Sequence, residues 1–281
     1  MHKTSQPFMI KMVITDLDGT LLRSDHKFNS EDLSTLYRLG DLGIIRVIAT
    51  GRSPFSASTV MPEDFPIDYL LFSSGAGVMR WSDKSIIHAN QLSQQVVQDV
   101  ISLLVAMQAD FMVHEPIPLN HCFHYYSSGK LNSDFERRLS LYKDYSQPLI
   151  TGLPFPGPAS QVLAVLPYDI ERFNAISLKL SGVQVIRATS PLDGKSIWLE
   201  IFPEGVSKSG GIKWLCDYLG GIQPSELMAL GNDYNDVDML NLAGSAFVVS
   251  NAPADLKEHY QVVPLNNEAG FSHAVNRVFK S

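Results

Sequence analysis

The chain of 281 residues predicts an α/β fold, a doubly wound, Rossmann-like parallel sheet interrupted by an inserted α+β domain. Three observations carry this. Apolar runs of strand length alternate with helix-spaced apolar faces near both ends of the chain, polar clusters fall directly after those runs, and the alternation lapses between about residues 84 and 203. Alternating strands and helices build a parallel sheet covered on both faces, and ligands gather where its strands end at their carboxyl sides.

The first apolar run, residues 10–15 (IKMVIT), opens into Asp16-Leu17-Asp18-Gly19-Thr20. From Asn29 or Ser30, which can cap a helix, Leu33, Leu36, Tyr37 and Leu39 keep near-helical spacing until Gly40 and Gly43. A strand at 44–49 follows, then a polar turn at Thr50-Gly51-Arg52, a short helical stretch and a strand at 69–72. The pattern changes around 75–85. Beyond it, Val96, Val97, Val100, Ile101, Leu104 and Met107 form one face of a helix, with candidate strands at 110–114, 122–127, 161–166, 183–187 and 197–202 and a second helix near 169–180. The stretch 148–158 holds four Pro and two Gly and reads as a loop within the insertion. Alternation resumes from Ser207: helix to 219, strand 227–230, helix to 242, strand 246–249 and a final helix from 268 to 279. The expected division is therefore a core of residues 1–83 and 204–281 around an insertion of residues 84–203.

Composition narrows the function classes. Hydrophobic residues at 45% and charged residues at 18% suit a folded globular chain. A net charge of −7 argues against a broad nucleic-acid surface, which needs excess Lys and Arg to displace counterions. Cys122 and Cys216 stand far apart with no CxxC or Cys/His cluster, so they read as ordinary thiols. Residues 1–9 are polar, and no stretch approaches the ~18 apolar residues of a membrane span, which makes the cytoplasm the expected location.

Two carboxylates after a buried strand need a reason, because buried charge requires partners. In extended backbone, residues i and i+2 share a face, so Asp16 and Asp18 can point at one site while Gly19 turns the chain away. One could attack while the other moves protons. The cluster is not isolated. Thr50 ends a second strand, Lys208 begins a helix after Pro203-Glu204-Gly205-Val206-Ser207, and Gly231-Asn232-Asp233-Tyr234-Asn235-Asp236 follows another strand.

On DLDGT at 16–20, ATGR at 49–52, VSKSGG at 206–211, GNDYND at 231–236 and NNEAGF at 266–271, in that order, the whole chain resembles the haloacid dehalogenase superfamily. The branch it is similar to is the Cof-type (subfamily IIB) phosphatases, whose cap is inserted between the second and third motifs. The resemblance implies hydrolysis of a small phosphorylated metabolite, such as a sugar phosphate, with Mg²⁺. A carboxylate attacking a phosphate dianion must have Coulomb repulsion cancelled, and phosphoryl transfer is otherwise mostly positioning. Asp16 is then the nucleophile that forms an aspartyl-phosphate, Asp18 the general acid and base, Thr50 a phosphoryl-oxygen partner and Lys208 the neutralising charge. Phosphate binding falls to Thr50, Gly51, Arg52, Lys208 and Asn235. Metal ligation falls to Asp16, Asp18 through its main-chain carbonyl, and the loop holding Asn232, Asp233 and Asp236.

Two departures bear on detail. The fourth motif usually opens Gly-Asp, yet Asn232 holds that place here and Asp233 follows. Ser73-Ser74-Gly75-Ala76 stands where many relatives carry Asn before Gly-Ala. Alignment favours Asn232 as the metal ligand, whereas electrostatics favours Asp233 or Asp236, and the carboxylate is the expectation. In the insertion, His114, His121, His124, Tyr125 and Arg187 are the candidates for reading substrate. A phosphomutase would share Asp16, and a sensing module that keeps phosphate on Asp without rapid turnover is the alternative outside enzymes.

Overall fold

The computed structural model describes residues 10–279, so the polar stretch 1–9 lies outside the described residues. Two sheets organise the chain. The larger has eight strands in the spatial order Gln261–Val263, Ser245–Val249, Leu227–Gly231, Met12–Thr15, Ile45–Ala49, Tyr69–Phe72, Gly77–Arg80 and Ser85–Ala89. The first six pair in parallel and the last two are antiparallel additions. Met12–Thr15, Tyr69–Phe72 and Leu227–Gly231 are buried almost throughout, as strands covered on both faces must be. One face packs on helices Ser30–Asp41 and Gly270–Val278 through Leu36, Leu39, Phe271 and Val275, and the other on Lys208–Tyr218 and Val237–Leu242 through Ile212, Leu215, Met239 and Leu240.

The expected start of the insertion at residue 84 is corrected. Ser85–Ala89 pairs with Gly77–Arg80, so the core sheet continues to Ala89. This edge strand is half-exposed and lacks the continuous apolar run that marks the central strands.

The second sheet has six strands, ordered Val183–Thr189, Ile197–Pro203, Gln161–Leu166, Asp110–His114, Phe123–Tyr126 and Ser146–Pro148. Helices Gln94–Ala106 and Ile170–Ser177 cover its outer face, burying Val97, Val100, Leu104 and Ile176 against Phe111, Val162 and Leu199. Its inner face carries Met112, Leu163 and Trp198 beside Phe135 of a helix at Ser133–Leu141. That helix has no counterpart in the sequence expectation, because its apolar stripe is short, only Phe135 being fully buried with Leu139 and Tyr142 packed beside it in an otherwise polar segment. No helix among the described residues is long and apolar enough to cross a membrane.

Candidate active site

The parallel strands deliver their chemistry to one edge. Asp16 follows Met12–Thr15, its N–H donating to Leu230 O at 2.9 Å, and Thr50 follows Ile45–Ala49, its N–H donating to Leu71 O at 2.8 Å. Each motif is thereby pinned to a neighbouring strand. Gly19 takes φ +74°, and a Cβ there would stand 2.6 Å from Asn232 Nδ2, so only glycine lets this loop turn so close to the fourth motif. Asp18 is gripped bidentately by Arg52, from Nη2 to Oδ1 at 2.7 Å and from Nε to Oδ2 at 2.8 Å. Thr50 is buried, and its Oγ1 accepts from the Arg52 N–H at 3.1 Å.

Lys208 enters from the opposite side. Ser207 caps its helix, Oγ accepting from Gly210 N–H at 3.1 Å. Gly75, at φ +98°, packs on the Ser207 carbonyl so closely that any Cβ would overlap it. The fully buried ammonium donates to Asp16 Oδ1 at 2.6 Å and to Asp236 Oδ1 at 2.5 Å. The other oxygen of Asp236 accepts the backbone N–H groups of Asn232 at 2.8 Å and Asp233 at 3.0 Å. Burial pushes Asp16 up to about 7 while Lys208 pulls it down and Asp236 adds to the rise. Burial alone would lower Lys208, but Asp16 and Asp236 together hold it above its ordinary value. These directions describe one shared proton balance. With a raised ammonium at 2.6 Å, Asp16 is held as a carboxylate of heightened basicity.

Beside this triad three oxygens converge. As placed, Asn232 Oδ1 lies 3.2 Å from Asp16 Oδ2, 3.3 Å from Asp18 O and 3.1 Å from Thr20 Oγ1. Thr20 can donate one hydrogen, but Asp16 and Asp18 O offer none, so without a cation the amide would sit better rotated, donating to both. Oxygens that share an octahedral Mg²⁺ at ~2.1 Å lie about 3 Å apart when adjacent. The donor set Asp16 Oδ2, Asp18 O and Asn232 Oδ1 therefore fits a small hard cation. Among the described residues no group of three or more His, Cys, Asp or Glu is arranged to hold a metal, and Mg²⁺ needs only one or two carboxylates.

The carboxylates of the 232–236 loop, expected at this point, are engaged elsewhere. Asp233 turns to the insertion, where Thr189 donates to it from N–H at 2.8 Å and from Oγ1 at 3.1 Å. Asp236 has both oxygens occupied by Lys208 and the loop backbone. Asn232 is the loop side chain that faces Asp16.

A cavity of about 1260 Å³ lies between the sheets and is lined by Asp16, Asp18, Thr50, Gly51, Arg52, Asn232, Asp233 and Asn235 from the core. From the insertion His114, His121 and Arg187 line it. His124 and Tyr125 do not: His124 pairs with Glu115 at 2.9 Å, and Tyr125 packs on Phe135. His114 is buried, its Nδ1 2.8 Å from Asn120 O, and burial pushes its pKa down to about 3. His121 stacks on Phe55 with ring centres 4.4 Å apart.

Sequence reading missed two sets of lining residues, Asn120 with Glu200 and Arg138 with Trp198. Ser73 and Ser74 both take left-handed backbone, φ 47° and 53°, and each receives a residue of the insertion: Asn120 Nδ2 donates to Ser73 Oγ at 2.8 Å, and Ser74 Oγ donates to Glu200 Oε2 at 2.8 Å. Burial pushes Glu200 up to about 6. Arg138 and Trp198 form the second set, on the wall of the insertion. A charged residue inside the apolar run IWLEIF is the signal that could have found Glu200.

Known proteins resemble the chain over nearly its whole length. The family model described as haloacid dehalogenase-like hydrolase matches residues 13–275. An HMP-PP phosphatase of Klebsiella pneumoniae is 27% identical over 278 residues, covering 94% of each chain. A Bacillus subtilis protein named 5-amino-6-(5-phospho-D-ribitylamino)uracil phosphatase is 22% identical, covering 96% of this chain and 98% of that one. The solved structure of a superfamily phosphatase from Bacteroides thetaiotaomicron superposes with a TM-score of 0.78 at 22% identity, over 99% of this chain and 97% of that one. By fold, motif order and sequence, the chain belongs to the haloacid dehalogenase-like hydrolase family, in the Cof-type branch of phosphoric monoester hydrolases.

Proposed function

We propose that this chain is a Mg²⁺-dependent phosphatase of a small phosphorylated metabolite, sugar phosphate-like in size, working through an aspartyl-phosphate on Asp16. The observation that carries the reading is Asp16 itself: a buried carboxylate oriented by Lys208 at 2.6 Å, with its second oxygen 3.2 Å from the amide of Asn232, which also lies 3.3 Å from Asp18 O. Bound there, Mg²⁺ would neutralise charge on Asp16 and on the substrate phosphate. Lys208 keeps Asp16 in one rotamer and screens its charge from the incoming dianion, so the attack on phosphorus starts from a fixed geometry. Thr50 Oγ1 and the adjoining backbone receive the phosphoryl oxygens.

Asp18 delivers a proton to the leaving oxygen and takes one from the water that later cleaves the aspartyl-phosphate. Arg52 is shared between Asp18 and the incoming dianion, so phosphate binding draws the guanidinium away and frees Asp18 to move protons. The cavity admits a metabolite and closes over it through Ser73, Ser74 and Asp233, which limits competing water. The experiment is a screen of phosphorylated metabolites with and without Mg²⁺, reading inorganic phosphate. Net release supports hydrolysis, whereas isomerised product without release would point to a mutase. Absence of any release across the panel would overturn the reading.

A further inference from the structure

Arg138 projects from helix Ser133–Leu141 into the cavity. Its guanidinium lies 4.6 Å from the centre of the Trp198 ring and 5.1 Å from that of Tyr142, and its Nε donates to Met112 Sδ at 3.2 Å. Among the described residues no carboxylate comes within 4.0 Å of it, and neither terminal nitrogen has a hydrogen-bond partner. The two acids whose charge reaches it are committed elsewhere. Asp134 accepts from Ser190 Oγ at 2.9 Å and from Trp198 Nε1 at 2.8 Å, and Glu200 accepts from Ser74. Because Asp134 fixes the indole, the platform under the guanidinium is rigid before any ligand arrives. Arg187, stacked over Tyr234 at 4.2 Å, and Lys195 share the same wall, also without a carboxylate partner. In a chain of net charge −7, this wall is locally positive.

A guanidinium held among aromatic rings and left without an anion is costly, since burial lowers its pKa. The scissile phosphate has its own set of partners on the core, in Thr50, Arg52 and Lys208. We propose that the substrate carries a second acidic group, a carboxylate or a second phosphate, at the end remote from the scissile phosphate, and that Arg138 binds it. The inference rests on the phosphatase reading of the cavity. The planar fork of Arg suits either anion, and Trp198 and Tyr142 hold it in one orientation.

The test uses the full chain carrying Asp16→Asn, so that ligands bind without turnover, and titration calorimetry with Mg²⁺. One arm compares a sugar-acid phosphate with the matching neutral sugar phosphate, the other a sugar bisphosphate with its monophosphate. The acidic member of one arm is expected to bind roughly ten- to a hundred-fold more tightly, and that arm identifies the distal group. Adding Arg138→Gln should abolish the preference, with Arg138→Lys intermediate, whereas a purely structural cation–π contact would leave the ratio between paired ligands unmoved. Equal binding of acidic and neutral members, or a preference that survives Arg138→Gln, overturns the proposal. Turnover of the same ligands by the unmodified chain reads the phosphatase assignment separately.

Discussion

The ammonium of Lys208 lies 2.5 Å from Asp236 Oδ1, and neither side chain has any solvent-exposed surface. Asp236 is therefore a hub of the site. One oxygen positions the lysine that orients Asp16, and the other gathers the N–H groups of Asn232 and Asp233 into the turn that sends their side chains apart. Replacing Asp236 by Ala leaves Lys208 with a single carboxylate and two N–H groups without their acceptor. Breaking a buried pair in this way costs about 3–5 kcal/mol. Urea unfolding of Asp236→Ala against the parent should show a loss of that order, and unchanged stability would mean the triad contributes nothing to the fold.

Asp16→Asn preserves shape and removes the proposed nucleophile. Lys208 keeps Asp236, so the fold should persist by circular dichroism. Phosphate release from a simple aryl phosphate should fall by about 10⁴-fold or more, as when other enzymes lose a nucleophile. A near-parental rate would mean that a different group attacks.

Glu200 makes the connection between insertion and core sensitive to pH. Burial, against the opposing pull of Ser74, Lys208 and Arg138, raises it from its ordinary 4.5 to about 6. The folded state thus holds the proton where the unfolded chain has lost it, so this group's contribution to stability falls as pH rises from 4.5 through 6. The rise of about 1.5 units at 1.36 kcal/mol each is worth about 2 kcal/mol. Glu200→Gln keeps an oxygen for Ser74 and does not titrate. The variant should gain about 2 kcal/mol on the parent between pH 4 and pH 7 in paired denaturation curves. His114, lowered to about 3, contributes the opposite trend, since stability is lost as pH falls below its ordinary 6.5. It is common to both proteins, so their difference isolates Glu200; a pH-independent difference would contradict the assigned shift.

The site was legible to the extent that it is written along single strands. Asp16, Thr50 and the 231–236 loop each follow an apolar run, and parallel pairing brings those strand ends together without further information. Lys208 stands 192 residues from Asp16, and the recurring order of motifs, rather than any local spacing, linked them. The direction of side chains within the 232–236 turn was not legible, because it depends on Asp236 folding back onto its own loop. Arg138 and Glu200 were hidden for different reasons. Arg138 lies on a helix whose apolar stripe is only Phe135, Leu139 and Tyr142, and Glu200 sits in an apolar strand whose inner face looks into a cavity, which no periodicity reveals.

The last prediction separates Asn232 from Asp233, where charge and geometry disagree. A dication gains more from a carboxylate than from an amide, and on charge alone Asp233 would be the ligand. Geometry opposes this, because Asp233 accepts two hydrogen bonds from Thr189 on the insertion while the Asn232 side-chain amide stands 3.2 Å from Asp16 Oδ2. Turning Asp233 toward the metal would break both bonds to Thr189 and reverse a loop that Asp236 holds from behind. Asn232→Ala should therefore raise the Mg²⁺ concentration for half-maximal activity, and Asn232→Asp, restoring an oxygen and adding charge, should lower it below that of the parent. Asp233→Ala should leave the Mg²⁺ midpoint near its parental value and instead weaken substrate binding, since it releases the insertion at Thr189. Activity titrated against Mg²⁺ at saturating substrate, then against substrate at saturating Mg²⁺, resolves the two effects. A larger midpoint shift for Asp233→Ala than for Asn232→Ala would return the metal to the carboxylate.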